Sequence, residues 1–225
     1  MGLAPFIDAR PTLGKLDLVG KSNERDRRPT VEEMSKIVEL AHESSKSSYF
    51  RDSYAPCDKI FVFQMFSGRR ISETCRMKWN LIDHKNKRAQ ITDMKSTKKE
   101  GNDVWVLVPD PAWDILLSMP RIEGEERIFP FDAKTISTRF DRMRAKAGLF
   151  DKDTDSNLRL HDLRHEALSW LAEKNGLENE NWDIPRIQLV SGHKNWNVLQ
   201  RYVNLLESKP HDKWKGWEWT RKVLE

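Results

Sequence analysis

Apolar residues at helical spacing dominate the chain and predict a mainly α-helical protein. Thr30 and Glu33 form a capping box ahead of the first repeat, because each side chain can satisfy the other's backbone amide. The repeat itself consists of Met34, Ile37, Val38 and Ala41. A second segment, residues 60–66, is apolar nearly all round, which is typical of a buried central helix. Gly68 is expected to end that helix, since the position after a helix favours positive φ.

Further helices are predicted from their start and stop signals. Arg70 begins the next helix. Asp110 and Asp132 begin two more, the first with a proline in its first turn. A helix is then expected from His161 to residues 175–176, another from residue 185 to about 192, and a last one from about residue 196 to 206.

The pattern changes between residues 79 and 109. Residues 79–83, 88–92 and 104–109 are short, β-prone segments separated by polar turns, and they predict an antiparallel sheet of three strands. The predicted fold class is therefore α+β and mainly α-helical, with a small three-stranded antiparallel sheet on one edge.

Composition indicates a folded protein with a basic surface region. The 225 residues are 38% hydrophobic and include nine Trp and nine Phe, which is enough for a sizeable core. The formal net charge of +4 and a pI near 9.0 permit a polyanionic partner. The distribution of charge is more informative, because residues 85–99 hold six Lys or Arg against a single acid, Asp93.

Cysteine usage and hydropathy predict a cytoplasmic location. Cys57 and Cys75 lie in apolar surroundings without nearby metal ligands, as expected of free thiols in a reducing compartment. No run approaches the roughly 18 apolar residues of a membrane span. The first residues also lack the basic and apolar regions of a secretory signal. We therefore expect a soluble protein without a membrane partner.

The candidate chemistry lies between residues 161 and 202. His161 and Arg164 are one helical turn apart near a helix N-terminus, a place that favours an anion. A guanidinium can also bind two phosphate oxygens at once. His193 follows Gly192 at a helix end, and Tyr202 comes nine positions later. Taken singly, each of these residues has an ordinary structural explanation, such as a core histidine, a surface ion pair or a packed aromatic ring.

Their joint order with an upstream segment is more specific. The segment reads Ser67-Gly68-Arg69-Arg70-Ile71-Ser72-Glu73, and 25 residues after Arg70 comes Lys95. His161, Arg164, His193 and Tyr202 then follow in that order. This order resembles the tyrosine recombinases, the phage integrase family, whose first box has Thr or Ser, Gly, any residue and Arg before a helix. The resemblance covers about residues 30–206 and implies an integrase-type catalytic domain.

The resemblance implies a site-specific DNA recombinase or integrase of a mobile element. Such an enzyme cleaves and rejoins duplex DNA through a 3′-phosphotyrosyl intermediate, without ATP, a metal or another cofactor. The implied catalytic residues are Arg70, Lys95, His161, Arg164, His193 and Tyr202. The arginines would hold the scissile phosphate, the histidines would donate to its oxygens or take the proton of the nucleophilic tyrosine, and the lysine would protonate the leaving 5′-oxygen.

Four neighbouring residues receive lesser roles. Glu73 matches an acidic position of the family and is expected to hold the Arg70 side chain through an i, i+3 pair, although an exposed ion pair is an equal alternative. Arg69 is assigned to DNA binding, beside the catalytic arginine. Lys98 and Lys99 are assigned to nonspecific contacts with DNA phosphates.

The resemblance also divides the chain and implies its partners. Residues 1–28 are interpreted as a linker or the remnant of a preceding DNA-binding domain, residues 29–206 as the catalytic domain, and residues 207–225 as a tail. The tail tryptophans, Trp214, Trp217 and Trp219, are expected either to dock on a neighbouring subunit or to fold back on their own domain. The implied partners are double-stranded DNA, other copies of the chain in a synaptic tetramer, and accessory DNA-bending proteins. When bound to DNA, the protein would be associated with the nucleoid.

Two alternatives stay open. One is a catalytically idle DNA-binding module of the same fold, which would use the basic hairpin to occupy a site. The complete set of six residues argues against it. The other is a type IB topoisomerase, which shares the chemistry, although a second active-site histidine is more typical of recombinases.

Overall fold

The helices and strands follow the predicted order. The computed structural model describes residues 26–46, 55–92, 103–154, 156–193 and 196–225. Its α-helices are α1 (Val31–Lys46), α2 (Cys57–Ser67), α3 (Ile71–Thr74), α4 (Asp110–Leu117), α5 (Ala133–Lys146), α6 (Asp162–Glu173), α7 (Ile184–Ser191), α8 (Val203–Leu206) and α9 (Trp219–Lys222). Its strands are β1 (Ile82–Asp83), β2 (Arg88–Ile91) and β3 (Val104–Leu107). Short 3-10 helices span Trp79–Leu81 and Trp196–Tyr202.

Helix α2 lies at the centre of the core, as its apolar sequence predicts. It packs against α1, α4, α5 and α6. Its Phe66 ring meets Trp170 of α6 edge-on, with the ring centroids 4.9 Å apart. Gly68 then ends the helix at φ 63°, and a Cβ atom there would come within 3.1 Å of Leu168 on α6. The residues that follow α2 therefore lie close to α6.

The antiparallel sheet is confirmed, with strands in the order β1-β2-β3. Ala89 at its centre pairs with Ile82 on one side and Val106 on the other. The first strand is shorter than predicted, because Trp79–Leu81 form a 3-10 helix. The Trp79 amide donates to the Glu126 carbonyl at 3.0 Å, so this segment bonds to the loop before α5 instead of to β2.

The final predicted helix is divided in two. Residues 196–202 form the 3-10 helix that ends at Tyr202, and the α-helical turn α8 continues from Val203. Tyr202 thus lies at the junction between two helix types, with α6 packed beside both of them.

Both ends of the described chain meet at one buried carboxylate on α6. The Glu166 side chain is 0% exposed and accepts from Arg28 at 2.6 Å, from the Trp214 indole at 2.8 Å and from Lys213 at 3.2 Å. The same arginine also pairs with Glu173 at the end of α6. The segment before α1 and the segment after α8 are therefore fixed to the same helix.

The tail tryptophans, whose docking the sequence left open, lie in the core of their own chain. Trp214, Trp217 and Trp219 are all buried, and the Trp217 indole donates to the Ser35 hydroxyl of α1 at 2.8 Å. Trp219 begins the short helix α9, which the sequence pattern did not predict. Within the described residues, no helix is both long enough and apolar enough to cross a membrane.

We predict that Glu166→Ala lowers the free energy of unfolding by about 3 kcal/mol, because it leaves Lys213 and Arg28 beside a buried site without its carboxylate. The expected loss is at the lower end for a broken buried ion pair, since Arg28 keeps Glu173. Urea unfolding followed by tryptophan fluorescence measures it. The control is Glu178→Ala at an exposed position, which should change stability by no more than about 0.5 kcal/mol. Equal losses in the two variants would contradict the prediction.

Candidate active site

Three chain segments converge on the site. Two of them are helix ends closed by a left-handed glycine, Gly68 at φ 63° after α2 and Gly192 at φ 68° after α7. A glycine adopts this conformation without steric strain and reverses the chain direction within a residue or two. The third segment is the N-terminal turn of α6, with His161 as the residue just before the helix. Arg70, Arg164 and His193 are brought together in this way.

Glu73 is the negative charge at the centre of the site. Its carboxylate accepts from the Arg70 side chain at 2.7 Å and from the Arg70 backbone amide at 3.1 Å. The guanidinium groups of Arg69 and Arg164 lie 3.4 and 3.7 Å from it. Burial by itself raises the pKa of Glu73, but the charges of Arg69 and Arg164 and the bonds from Arg70 outweigh it and lower that pKa. The carboxylate is therefore ionised at neutral pH.

Arg164 is buried and fixed on several sides. Its guanidinium donates to the Gly68 carbonyl and, at 3.1 Å, to the Ser191 carbonyl. It also lies 2.9 Å from Nε2 of His193. Burial and then the charges of two neighbouring arginines lower its pKa, yet a guanidinium stays protonated in proteins. The side chain therefore joins α2, α6 and α7 through a permanent positive charge.

His193 is held as a neutral ring with one free donor. Because Nε2 faces the Arg164 guanidinium, which only donates, Nε2 accepts and the ring proton is on Nδ1. Nδ1 is buried and has no hydrogen-bond partner in the described part of the chain. Burial, followed by the charges of Arg164, Arg70 and Arg69, lowers the pKa of His193 to about 4. The ring is thus neutral, with its Nε2 atom against Arg164 and its N–H group buried.

Arg70 and His161 face the solvent side of the site. The Arg70 side chain is half-buried, and His161 is exposed at the start of α6. Loss of hydration around the ring, then the charges of Arg164 and Arg70, lower the pKa of His161. These two residues therefore form the open side of the site, where an anion can enter.

Tyr202 lies at the end of the 3-10 helix that packs against α6. Its residue is only 5% exposed, and its hydroxyl lies 2.9 Å from Nδ1 of His165. The other ring nitrogen of this histidine lies 3.7 Å from the Asp26 carboxylate, which also pairs with Arg201. Sequence reasoning gave His165 no role. The available signal was its position four residues after His161, on the same face of one helix.

Not every predicted site residue is where its role requires. Arg69 was assigned to DNA binding, but its side chain is 1% exposed and donates to the Val190 carbonyl of α7. A guanidinium held in the interior in this way does not reach a DNA phosphate. Lys95, Lys98 and Lys99 lie outside the residues that the structure describes.

Comparison with known proteins identifies the family. The model of the phage integrase family matches residues 27–209. The chain belongs to this family. It is also 27% identical, over 184 residues, to a shufflon-specific DNA recombinase of Escherichia coli, covering 82% of this chain and 41% of that protein. The chain therefore spans less than half the length of this curated relative.

Solved structures show the same fold at low identity. The XerA recombinase is 20% identical with a TM-score of 0.54, over 83% of this chain and 64% of that one. A lambda integrase fragment, solved as a dimer bound to a COC′ core site, is 19% identical with a TM-score of 0.53, over 85% of this chain and 70% of that one. The predicted integrase-type fold is thereby confirmed.

The phage integrase match includes every predicted catalytic position, from Arg70 to Tyr202. It ends before the buried tail tryptophans, the first of which is Trp214. Among the residues described, no group of His, Cys, Asp and Glu is arranged to hold a metal ion. The polar groups that converge on the site are instead guanidinium, imidazole and carboxylate groups.

We predict that Glu73→Gln lowers the free energy of unfolding at pH 7 by about 3 kcal/mol, since it leaves three guanidinium groups without their shared carboxylate. The folded-state pKa of Glu73 is below its ordinary value of 4.5. The stabilisation by this carboxylate is therefore present above about pH 4.5 and is lost as the pH falls through the lower, folded-state pKa. The difference between native protein and variant should accordingly shrink in acid.

Urea unfolding at pH 7 and at successively lower pH values tests this expectation. Glu43→Gln, an exposed position on α1, is the control for loss of one negative charge. A stability difference for Glu73→Gln that stays constant down to pH 3, or that matches the control, would show that the carboxylate does not hold the arginines.

Proposed function

We propose that this protein is a tyrosine recombinase that cleaves and rejoins duplex DNA through a 3′-phosphotyrosyl intermediate. The observation that carries the proposal is the excess of positive charge at the site. Arg69, Arg70 and Arg164 surround a single carboxylate, Glu73. Three positive charges against one negative leave two unbalanced, beside a tyrosine and two histidines. Such a site favours a phosphodiester, whose negative charge grows in the transition state for displacement.

Arg70 and Arg164 bind the non-bridging oxygens of the scissile phosphate. Arg70 is the more exposed of the two and meets the phosphate first, while the buried Arg164 supplies a fixed charge behind it. His193, which lies against Arg164, gives a further donor to the same oxygens, as the family resemblance implies. The ring of His161, on the solvent-facing side of the site, also donates to the phosphate oxygens. Charge-assisted bonds of this kind strengthen as the phosphorus becomes more negative.

Tyr202 is the nucleophile. Its phenolate oxygen forms a bond to phosphorus while the bond to the 5′-oxygen breaks, and the leaving oxygen takes a proton from Lys95. The covalent phosphotyrosine keeps the free energy of the broken ester, so a 5′-hydroxyl from another strand can reverse the step without ATP. The family resemblance supports Lys95 in this role by its position in the chain.

The proposed partners are double-stranded DNA and further copies of this chain. The basic composition of segment 85–99 supports contacts with DNA phosphates, and Lys98 and Lys99 are proposed to make such contacts. The lambda integrase structure is a dimer bound to a core site, which supports assembly on DNA, here as a synaptic tetramer. We propose residues 29–206 as the catalytic domain. Its place of action is the DNA in the cytoplasm, with accessory DNA-bending proteins.

The first prediction from this function concerns the covalent intermediate. The protein is incubated with a duplex of its own recombination site that carries a nick, so that the short 5′-hydroxyl strand diffuses away after cleavage. A protein–DNA adduct should then accumulate and survive on a denaturing gel. Tyr202→Phe should abolish it, whereas Tyr49→Phe and Tyr54→Phe, which change the other two tyrosines of the chain, should retain it. An adduct in Tyr202→Phe would refute the nucleophile, and no adduct with native protein would refute the function.

The second prediction concerns the general acid. Lys95→Ala should slow cleavage by about 10²- to 10⁴-fold, the usual contribution of a positioned proton donor. A substrate whose 5′-bridging oxygen is replaced by sulfur needs no such donor and should restore the rate. Lys98→Ala and Lys99→Ala are matched controls that should weaken DNA binding in a salt-dependent way and show no preferential rescue by sulfur. If the sulfur substrate restores the rate of Lys98→Ala or Lys99→Ala and not that of Lys95→Ala, the general acid is that other lysine.

A further inference from the structure

The hydroxyl of Tyr202 lies next to a histidine that the proposed function does not use. Nδ1 of His165 is 2.9 Å from the tyrosine oxygen, and the two rings lie with their centroids 5.4 Å apart. A tyrosine has an ordinary pKa of about 10, so its attack at neutral pH requires a group that takes the phenolic proton. We propose that His165 is the base that accepts this proton. The proposal rests on the proposed function and adds a catalytic residue to it.

The position of the hydroxyl favours His165 over the predicted histidines. The Nε2 lone pair of His193 already accepts from Arg164, and the remaining nitrogen of that ring carries a proton. His193 therefore has no free lone pair with which to receive a proton from tyrosine. His161 lies one helical turn before His165, at the exposed start of α6, on the side where Arg70 is open to solvent.

The surroundings of His165 select the tautomer that a base requires. Its Nε2 atom lies 3.7 Å from the Asp26 carboxylate, and a nearby negative charge favours the proton on that nitrogen. The lone pair is then on Nδ1, facing the tyrosine hydroxyl. Arg201, the residue before the tyrosine, pairs with the same carboxylate and keeps it beside the ring. Asp26 is thus a positioning residue, in an order of carboxylate, imidazole and nucleophile that is known from hydrolases.

Charged groups of both signs surround the His165 ring. Asp26 and the buried Glu166 stabilise the imidazolium, while Arg201 and Arg28 oppose it. Loss of hydration and then Arg201 and Arg28 lower the pKa of His165, so the ring is neutral at pH 7. The unprotonated form needed for attack is therefore the form present before DNA binds.

The proton transfer balances within the reaction. The proton moves from the Tyr202 oxygen to Nδ1 of His165 as that oxygen bonds to phosphorus. The 5′-oxygen leaves with a proton from the general acid. On rejoining, the incoming 5′-hydroxyl attacks phosphorus and returns a proton to the general acid. The departing tyrosine oxygen recovers its own proton from the imidazolium. No further reactant is required.

The test uses variants of the full chain on the nicked duplex, with the rate of adduct formation measured in single turnovers from pH 5 to pH 8. His165→Asn keeps a hydrogen-bonding group near the Nδ1 position but accepts no proton. Its rate should fall by about 10²- to 10⁴-fold. The native rate should also fall in acid, below roughly pH 6.5, as the base becomes protonated. His211→Asn, at an exposed tail position, is the matched control and should behave as the native protein.

Two outcomes for this variant contradict the proposal. If His165→Asn keeps a rate within about threefold of native while His165→Ala is slow, the histidine positions the tyrosine and is not the base. If both variants keep the native rate, it has no part in the step. In either case native adduct formation and its loss in Tyr202→Phe would leave the proposed function standing.

A second variant tests the proposal without altering the core. Asp26 is highly exposed, with a side chain 83% accessible, so Asp26→Asn should fold normally. Because the carboxylate raises the pKa of His165, its removal should move the acid limb of the rate profile to lower pH. It should also slow the reaction at pH 7 by about tenfold, through loss of the tautomer preference. An acid limb that stays in place would show that another group takes the proton.

Discussion

A single buried carboxylate allows the three arginines of the site to be close together. Two guanidinium groups about 4 Å apart repel one another by about 4 kcal/mol at the effective dielectric of a protein surface, and more in the interior. Glu73 lies within 4 Å of Arg69, Arg70 and Arg164 at once. It makes the cluster possible in the folded protein without neutralising it. The remaining positive charge is then available to a ligand, so structural support and anion binding come from the same arrangement.

Three successive residues of helix α6 belong to three separate hydrogen-bond networks. Consecutive positions on an α-helix are about 100° apart, so neighbours in sequence face different parts of the structure. Arg164 points to the carbonyl groups at the ends of α2 and α7. His165 meets the tyrosine, and Glu166 holds the segments from both ends of the chain. A displacement of this one helix would therefore disturb the arginine cluster, Tyr202 and the chain ends together.

Local sequence signals predicted most of the fold, because they act over a few residues. The capping box at Thr30 is formed as expected, with the Glu33 side chain 2.8 Å from the Thr30 amide. The turn at Gly68 likewise has the positive φ that a helix end favours. The strand predicted at residues 79–83 is largely replaced by a 3-10 helix, since its amide partner is in a loop almost fifty residues later. Contacts at such separation leave no periodic signal in the sequence.

The different positions of Arg69 and Arg70 likewise depend on contacts between distant parts of the chain. Adjacent arginines are equivalent in sequence, but one donates to a carbonyl of α7, 121 residues away, and the other caps α3 through Glu73. Only the packing of α7 against this turn decides which of them is buried. The cluster of Arg70, Arg164 and His193 was predictable from motif order, whereas the contact of His165 with Tyr202 depends on how the 3-10 helix lies against α6.

The unpaired Nδ1–H group of His193 has a consequence for the stability of the folded domain. A buried donor without an acceptor costs about 1–3 kcal/mol of folding free energy, and uncompensated positive charge around it adds to that cost. Their presence means that the free domain is held below its attainable stability by its own binding site. If the proposed phosphate site is occupied, the ligand offsets the excess positive charge, so that ligand binding and resistance to unfolding are thermodynamically linked.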